Sequence, residues 1–239
     1  MNALTIENST QGTYYVRENG EALVGAFETV AEAEAFVTAN TDEPKKITKA
    51  PIPFITRWSG EDRDNSLPLQ FDKNGLTGLP RDPRGVTWSP AGTDRSGEPQ
   101  FAQIHPGRQR EAMTKPLCQV CGVHLTQKWV PWLINVTRSD FAEALASLRT
   151  IPYMSDPPTC TECQELARRH CPAVKSHAGG ISIEVRHWRP VGVCGDLYGM
   201  TPDGPVLQGA APITRFGDPR IPWVLAKQLV VEIDRYRIA

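Results

Sequence analysis

Two short cysteine pairs, Cys118-Gln119-Val120-Cys121-Gly122 and Cys160-Thr161-Glu162-Cys163, constrain this chain more than any other stretch of it. Four thiols laid out as C-x2-C twice match the tetrahedral thiolate shell that Zn²⁺ prefers. Glycine after the first pair tolerates the strained backbone that lets amides turn inward toward the sulfurs. A second pair at a helix start puts its thiolates on one face, beside the positive end of the dipole, which favours deprotonation. The expectation is one structural Zn²⁺ held by Cys118, Cys121, Cys160 and Cys163. Four thiolates close the shell and leave no position for a catalytic water.

A knuckle, then a strand, then cysteines in the first turn of a helix is the layout of treble-clef zinc modules, and the chain resembles that fold group. Thirty-eight residues separate Cys121 from Cys160, against roughly 15–20 in the commoner spacing. The excess predicts an inserted helix, capped by Ser139, with Phe141, Leu145 and Leu148 at i, i+4, i+7. Cys171 lies eleven residues beyond Cys160, about 16 Å along a continuous helix, and is expected to be a buried thiol outside the site. His170 is expected at the helix end, where the dipole favours it. His124 is the alternative fourth ligand. A rival reading makes Cys160 and Cys163 a redox dithiol, but such motifs follow a strand, and Asp156-Pro157-Pro158 precedes this one. A treble-clef nuclease of the HNH class is the enzymatic alternative. It needs further histidines, and His124 is the only one between the two pairs.

The 239 residues suffice for one sizeable domain or two small ones. With 22% charged residues and a formal charge of −1, the whole molecule has no strong electrostatic grip on nucleic acid. Residues 1–50 carry eight acidic and four basic side chains, an acidic head on a near-neutral body. No apolar run is long enough for a transmembrane helix. The N-terminal Met1-Asn2-Ala3-Leu4-Thr5 has no signal-peptide character. A cytoplasmic protein is expected, its six cysteines serving as ligands or buried thiols.

The fold class expected is α+β, in three stretches. Residues 1–43 read as a ββα module: Tyr14–Arg17 and Leu23–Phe27 flank Asn19-Gly20, a type I′ turn pair, and Thr29-Val30-Ala31-Glu32 is a capping box for a helix reaching Asn40, with Ala33, Phe36 and Val37 on the hairpin. Residues 44–116 read as a charged linker and a Pro/Gly-rich irregular segment, ending in a helix over Gln103–Met113. Residues 117–239 form the zinc-binding α+β domain. In it, Gln127–Val136 reads as a strand with Pro131 at an edge, Thr159–Glu162 as a capping box, and Pro172 as a helix stop. Ile181–His187 reads as a strand with Val191–Cys194 as its partner. Pro222–Tyr236 reads as an amphipathic helix with Trp223, Ala226, Val230 and Ile233 on one stripe.

His105, Arg108 and Arg110 before the first pair, and Arg168 and Arg169 at the second, form a candidate basic contact patch, set against nearby Glu111, Glu162 and Glu165. Trp129 and Trp132 read as core, with base stacking the alternative. From His105-Pro106-Gly107-Arg108-Gln109-Arg110 and Met113 through Leu117–Gly122, Pro157-Pro158-Thr159-Cys160, Cys163, Leu166–Pro172 and Val191–Tyr198, the chain resembles uncharacterised actinobacterial proteins of the streptomycete type. The resemblance implies a four-cysteine module and carries no activity with it. The N-terminal module resembles those added to phage and mobile-element proteins. The reading is a non-enzymatic zinc-stabilised binding protein, engaging a protein partner ahead of nucleic acid and no membrane.

Overall fold

The structure is a computed structural model, and it describes residues 4–8, 14–18, 22–27, 29–34, 51–66, 69–137, 142 and 153–239. It divides into two compact units, 1–49 and 50–239. Mixed α+β structure dominated by strands is what the described residues show.

The first unit has one strand more than the ββα expectation. β1 (Leu4–Asn8) pairs antiparallel with β2 (Tyr14–Glu18), which pairs antiparallel with β3 (Ala22–Phe27). β1 escapes a reading of the sequence because only Leu4 and Ile6 mark its alternation, too short a pattern to separate from chance. The capping box forms: the Glu32 amide donates to Thr29 Oγ1 at 3.3 Å and the Thr29 amide to Glu32 Oε2 at 3.2 Å. The helix it opens, α1, is described over 30–34, with Ala33 fully buried. Asn19-Gly20, Phe36, Val37, the helix end near Asn40 and the charged linker lie outside the described residues, as does the expected helix with Phe141, Leu145 and Leu148.

The second unit is built on two long antiparallel strands. β10 (Ile181–Thr201) runs unbroken through both segments expected to be partner strands. Val191–Cys194 is therefore a continuation of Ile181–His187 and not its partner. Its real partners lie elsewhere: along one side of β10 come β9 (Val130–Ile134) and then β11 (Gly204–Arg215), and along the other side β12 (Val224–Ile238). A Cβ at Gly195 would lie 2.1 Å from Leu225 O. The chain thus crosses a register shift in contact too close for any side chain.

β12 overturns the expected C-terminal helix. Leu229, Val230 and Val231 are consecutive and all 0–1% exposed, so both faces are covered, as in a central strand. An apolar run covered on both faces fits any period, a helical stripe included. The β-branched Val224, Val230, Val231 and Ile233 favour strand. The far side of β12 is covered piecemeal. β7 (Thr87–Trp88) pairs parallel with Leu225 and Ala226. The Gln109 carboxamide then takes the place of a strand at Leu229, accepting from its amide at 2.8 Å and donating to its carbonyl at 3.0 Å. Met154 exchanges both backbone bonds with Val231, at 2.8 and 2.9 Å.

Gln109 comes from α2 (Pro106–Thr114), which starts at His105 with Pro106 at its first position. Met113, Trp132, Met154, Ile183, Val185, Leu229, Val231 and Ile233 form the main core. Trp132 is completely buried, edge-on to Trp188 with centroids 5.4 Å apart, and donates to Asp156 O at 2.7 Å. A second cluster (Val86, Val193, Val224, Ala226) sits at the other end of the ladder. The Pro/Gly-rich segment takes part in this unit. β4 (Thr56–Trp58) pairs with β8 (Pro99–Ile104), β5 (Gln70–Asp72) with β6 (Gly75–Thr77), and Asp82 organises the turn before β7 by accepting from the Arg84 and Val86 amides and from Trp88 Nε1. No described helix is long and apolar enough to cross a membrane.

Candidate metal centre

The first cysteine pair sits on a minimal hairpin. Leu117 and His124 face each other across it, the Cys118 amide donates to Val123 O at 2.8 Å, and the Gly122 amide closes the turn onto Cys118 O at 2.8 Å. Gly122 has φ +75°, and a Cβ there would meet the Phe54 ring at 3.0 Å, so glycine is needed on both counts. The second pair opens α3 (Thr161–His170), with Cys160 at its N-cap and Cys163 in its first turn. The capping box expected at Thr159 is not formed. The Thr159 hydroxyl instead accepts from Gln119 Nε2 at 2.8 Å, tying the hairpin to the segment that leads into the helix. Pro172 ends that helix as expected and starts a short one, α4 (Pro172–Ser176).

Two further bonds set the two pairs against each other, and a third anchors the hairpin to Phe54. The Gln119 amide donates to Pro158 O at 2.8 Å, the Phe54 amide to Val120 O at 2.9 Å, and the Cys160 amide reaches Cys118 Sγ at 3.4 Å. The result is four sulfurs all within 4.8 Å of one another, the Cys121–Cys160 pair at 3.9 Å. A tetrahedron of thiolates at the usual 2.3 Å bond length has edges of roughly 3.8 Å. The four residues could hold a metal ion, and the spacing fits one. Cys118, Cys160 and Cys163 are buried among Leu125, Val130 and Leu166, while Cys121 is exposed, so the centre lies just under the surface.

The electrostatics of the cluster without a cation point the same way. Hydrogen bonds from the Cys160 and Cys163 thiols pull Cys118 down to about 2. The Cys118 thiolate in turn pushes Cys160 up to about 12, and pushes Cys163 up as well. One thiolate is readily accommodated and further ones repel it. A dication removes that repulsion and lets all four ionise.

The other candidates do not converge on this cluster. His124 is exposed on the hairpin and outside the sulfur group, and Cys171 caps the far end of α3. The basic residues are dispersed. His105 is buried as the N-cap of α2, its Nδ1 accepting from the Arg108 amide at 3.1 Å and its Nε2 donating to Gly92 O at 3.0 Å. Burial pulls its pKa down, and this bonding pattern is that of a neutral ring. Arg108 forks onto the fully buried Glu61 at 2.5 and 2.9 Å and also donates to Thr56 O. Burial alone would raise the Glu61 pKa. The Arg108 guanidinium and the Trp58 amide more than offset it and hold the carboxyl below its usual range. Arg110 lies over the Trp88 ring at 4.5 Å, Arg168 is held by Glu165, Gly179 O and Ser182, and Arg169 is exposed. Two members of the expected contact patch, His105 and Arg108, are thus interior, and Arg168 is tied down in place.

Sequence reasoning missed Phe54, Gln119 and Pro158 as the scaffold of the centre. A glutamine inside C-x2-C and a phenylalanine sixty-odd residues upstream carry no local signal for it. In comparisons with protein-family models, curated proteins and solved structures, nothing matches the chain.

Proposed function

We propose that this is a non-enzymatic binding protein of the reducing cytoplasm, stabilised by one structural Zn²⁺ on Cys118, Cys121, Cys160 and Cys163, and engaging a protein partner. The observation that carries the metal assignment is the sulfur spacing, 3.9 Å for Cys121–Cys160 within a group no wider than 4.8 Å. An all-thiolate tetrahedral set suits Zn²⁺, and a closed set suits a structural role. A hairpin knuckle with cysteines at a helix start supports a treble-clef-like module. The partner reading draws on the sheet edge: β11 ends the strand order, and Val206 and Leu207 on it are 41% and 59% exposed, with Met200 nearby at 48%. Exposed apolar side chains along an edge strand are the usual ground for a strand or groove partner.

The nuclease alternative loses support because His105 is consumed as a buried helix cap and, among the described residues, His124 belongs to no cluster of potential metal ligands. The dithiol alternative loses support because Cys160 and Cys163 face Cys118 and Cys121. The test is twofold. Metal analysis of purified protein is expected to give about one zinc per chain. Crosslinking with mass spectrometry is expected to recover a partner that Leu207→Asp loses while zinc content stays unchanged. DNA or RNA cleavage with Mg²⁺ or Mn²⁺, abolished by His124→Ala, would sink this reading.

A further inference from the structure

The β10–β12 ladder is interrupted twice in succession at one place. Val185 pairs with Tyr236 and His187 with Arg235, which leaves Arg186 without an opposite number; Trp188 then pairs with Ile233, which leaves Asp234 without one. Each strand carries one extra residue, so two bulges on opposite strands lie back to back. They re-aim consecutive side chains outward: Arg186 and His187 are both exposed on β10, Asp234 and Arg235 both on β12. A simple alternation would have sent one of each pair to the core. Those four residues line one cleft of about 450 Å³.

The charges in and around the cleft are unevenly committed. His187 Nδ1 is bonded to Asp234 Oδ2 at 2.6 Å, Arg189 is paired with Glu232, and Arg237 with Glu184. Among the described residues no carboxylate pairs with Arg186 or Arg235. The Arg186 guanidinium lies 5.9 Å from the centroid of the Trp129 ring, which Arg237 also approaches at 4.8 Å. Two guanidiniums thus line one cleft without an ion pair of their own among the described residues, one of them beside an aromatic ring. The planar fork of arginine fits tetrahedral and planar oxyanions two oxygens at a time.

We propose that this cleft is an oxyanion site that takes a single terminal phosphate group, Arg186 and Arg235 supplying the guanidinium forks and Asp234 fixing the imidazole of His187 beside them. The double bulge is the device that builds it. Asp234 lines the cleft in contact with His187, and the adjacent Glu184 and Glu232 are already committed to Arg237 and Arg189. Two guanidinium forks at one cleft match one phosphate group, free in solution or at the end of a small molecule.

The experiment is titration of the full chain with sodium phosphate and, separately, with phenyl phosphate, read from the arginine side-chain and His187 ring signals in NMR spectra. Saturable shifts at Arg186, Arg235 and His187 are expected. Each of Arg186→Gln and Arg235→Gln is expected to weaken binding at least about tenfold, the scale of one lost charge-assisted hydrogen bond. Arg189→Gln, a neighbour already paired, is expected to change it less than about twofold. Phenyl phosphate binding at least as well as inorganic phosphate places the group on a small molecule, and the reverse order identifies free phosphate; either is consistent with the site. Absence of saturable shifts in the unmodified protein overturns the proposal, as does equal affinity in the Arg186→Gln variant. A hydroxyl-ended oligodeoxythymidine that binds more than about tenfold tighter than phosphate, with steep salt dependence, overturns it in favour of a nucleic-acid track.

Discussion

The cysteine cluster and the β10–β12 ladder both fasten together distant parts of the second unit, and they do so in opposite ways. The cluster joins residues 118 to 163 through four sulfur atoms converging on one point. The ladder joins residues 183 to 238 through a long series of backbone pairs, each weak, running from Ile183↔Ile238 to Leu197↔Val224. One joint is concentrated at a single point, four sulfurs that could hold one metal ion, and the other is spread over many residues. A concentrated joint fails all at once when its cation leaves or a ligand is lost. A distributed joint tolerates bulges, and the double bulge at Arg186 and Asp234 is an interruption the ladder survives.

The contrast can be broken first at the metal. Cys118→Ser, or chelation, is expected to abolish zinc binding and to unfold the knuckle with α3. Structural zinc sites hold on the order of 10 kcal/mol of binding free energy that is also folding free energy. Metal content and circular dichroism together check this. Ile233→Ala strikes the ladder in a fully buried position. It is expected to cost about 2–5 kcal/mol, seen as a lower denaturant midpoint, while zinc stays at one per chain. Loss of zinc on that substitution would show that the two joints are one cooperative structure.

Gln109→Leu tests the piecemeal side of β12. It leaves the Leu229 amide and carbonyl buried and unpaired, and is expected to cost about 2–3 kcal/mol, with hydrogen exchange faster at Leu229 than at Val231. A smaller effect is expected from acid. The Glu61 carboxyl is held below its usual value, so its stabilisation is complete above the unfolded-state pKa of about 4.3 and drains as pH falls through that value toward its lower folded one. Over that window the unmodified chain should lose more stability than Glu61→Gln, as measured by denaturant titration at successive pH values. Cys171→Ser, at the far end of α3, is expected to leave zinc content unchanged.

The same contrast explains what the sequence reveals. The cysteine cluster is legible because its members come as two local pairs whose chemistry needs no knowledge of the fold. The ladder is not, because pairing is non-local. Trp223, Ala226, Val230 and Ile233 fall on a helical stripe only because their intervening neighbours Leu225, Leu229 and Val231 are buried too. Val191–Cys194 looks like a separate strand because Gly192 and Gly195 interrupt the alternation where the register shifts. Arg108 reads as surface charge because its counter-ion, Glu61, lies forty-seven residues away. Thr159 fits a capping box by spacing, and the Gln119 side chain claims its hydroxyl instead. In each case a partner invisible to a local window decided the outcome.

The order of strands along the chain carries a consequence for synthesis. β12 lies in the middle of its sheet, flanked by β10 on one side and β7, Gln109 and Met154 on the other, yet follows all of them in the sequence. As the chain leaves the ribosome, the hairpin and α3 emerge with all four cysteines while the sheet still lacks its central strand. Until residues 224–238 clear the tunnel, β10 and the Gln109 carboxamide wait without their partner, and for those seconds a metal ion on the four cysteines would be the clasp between the hairpin and α3.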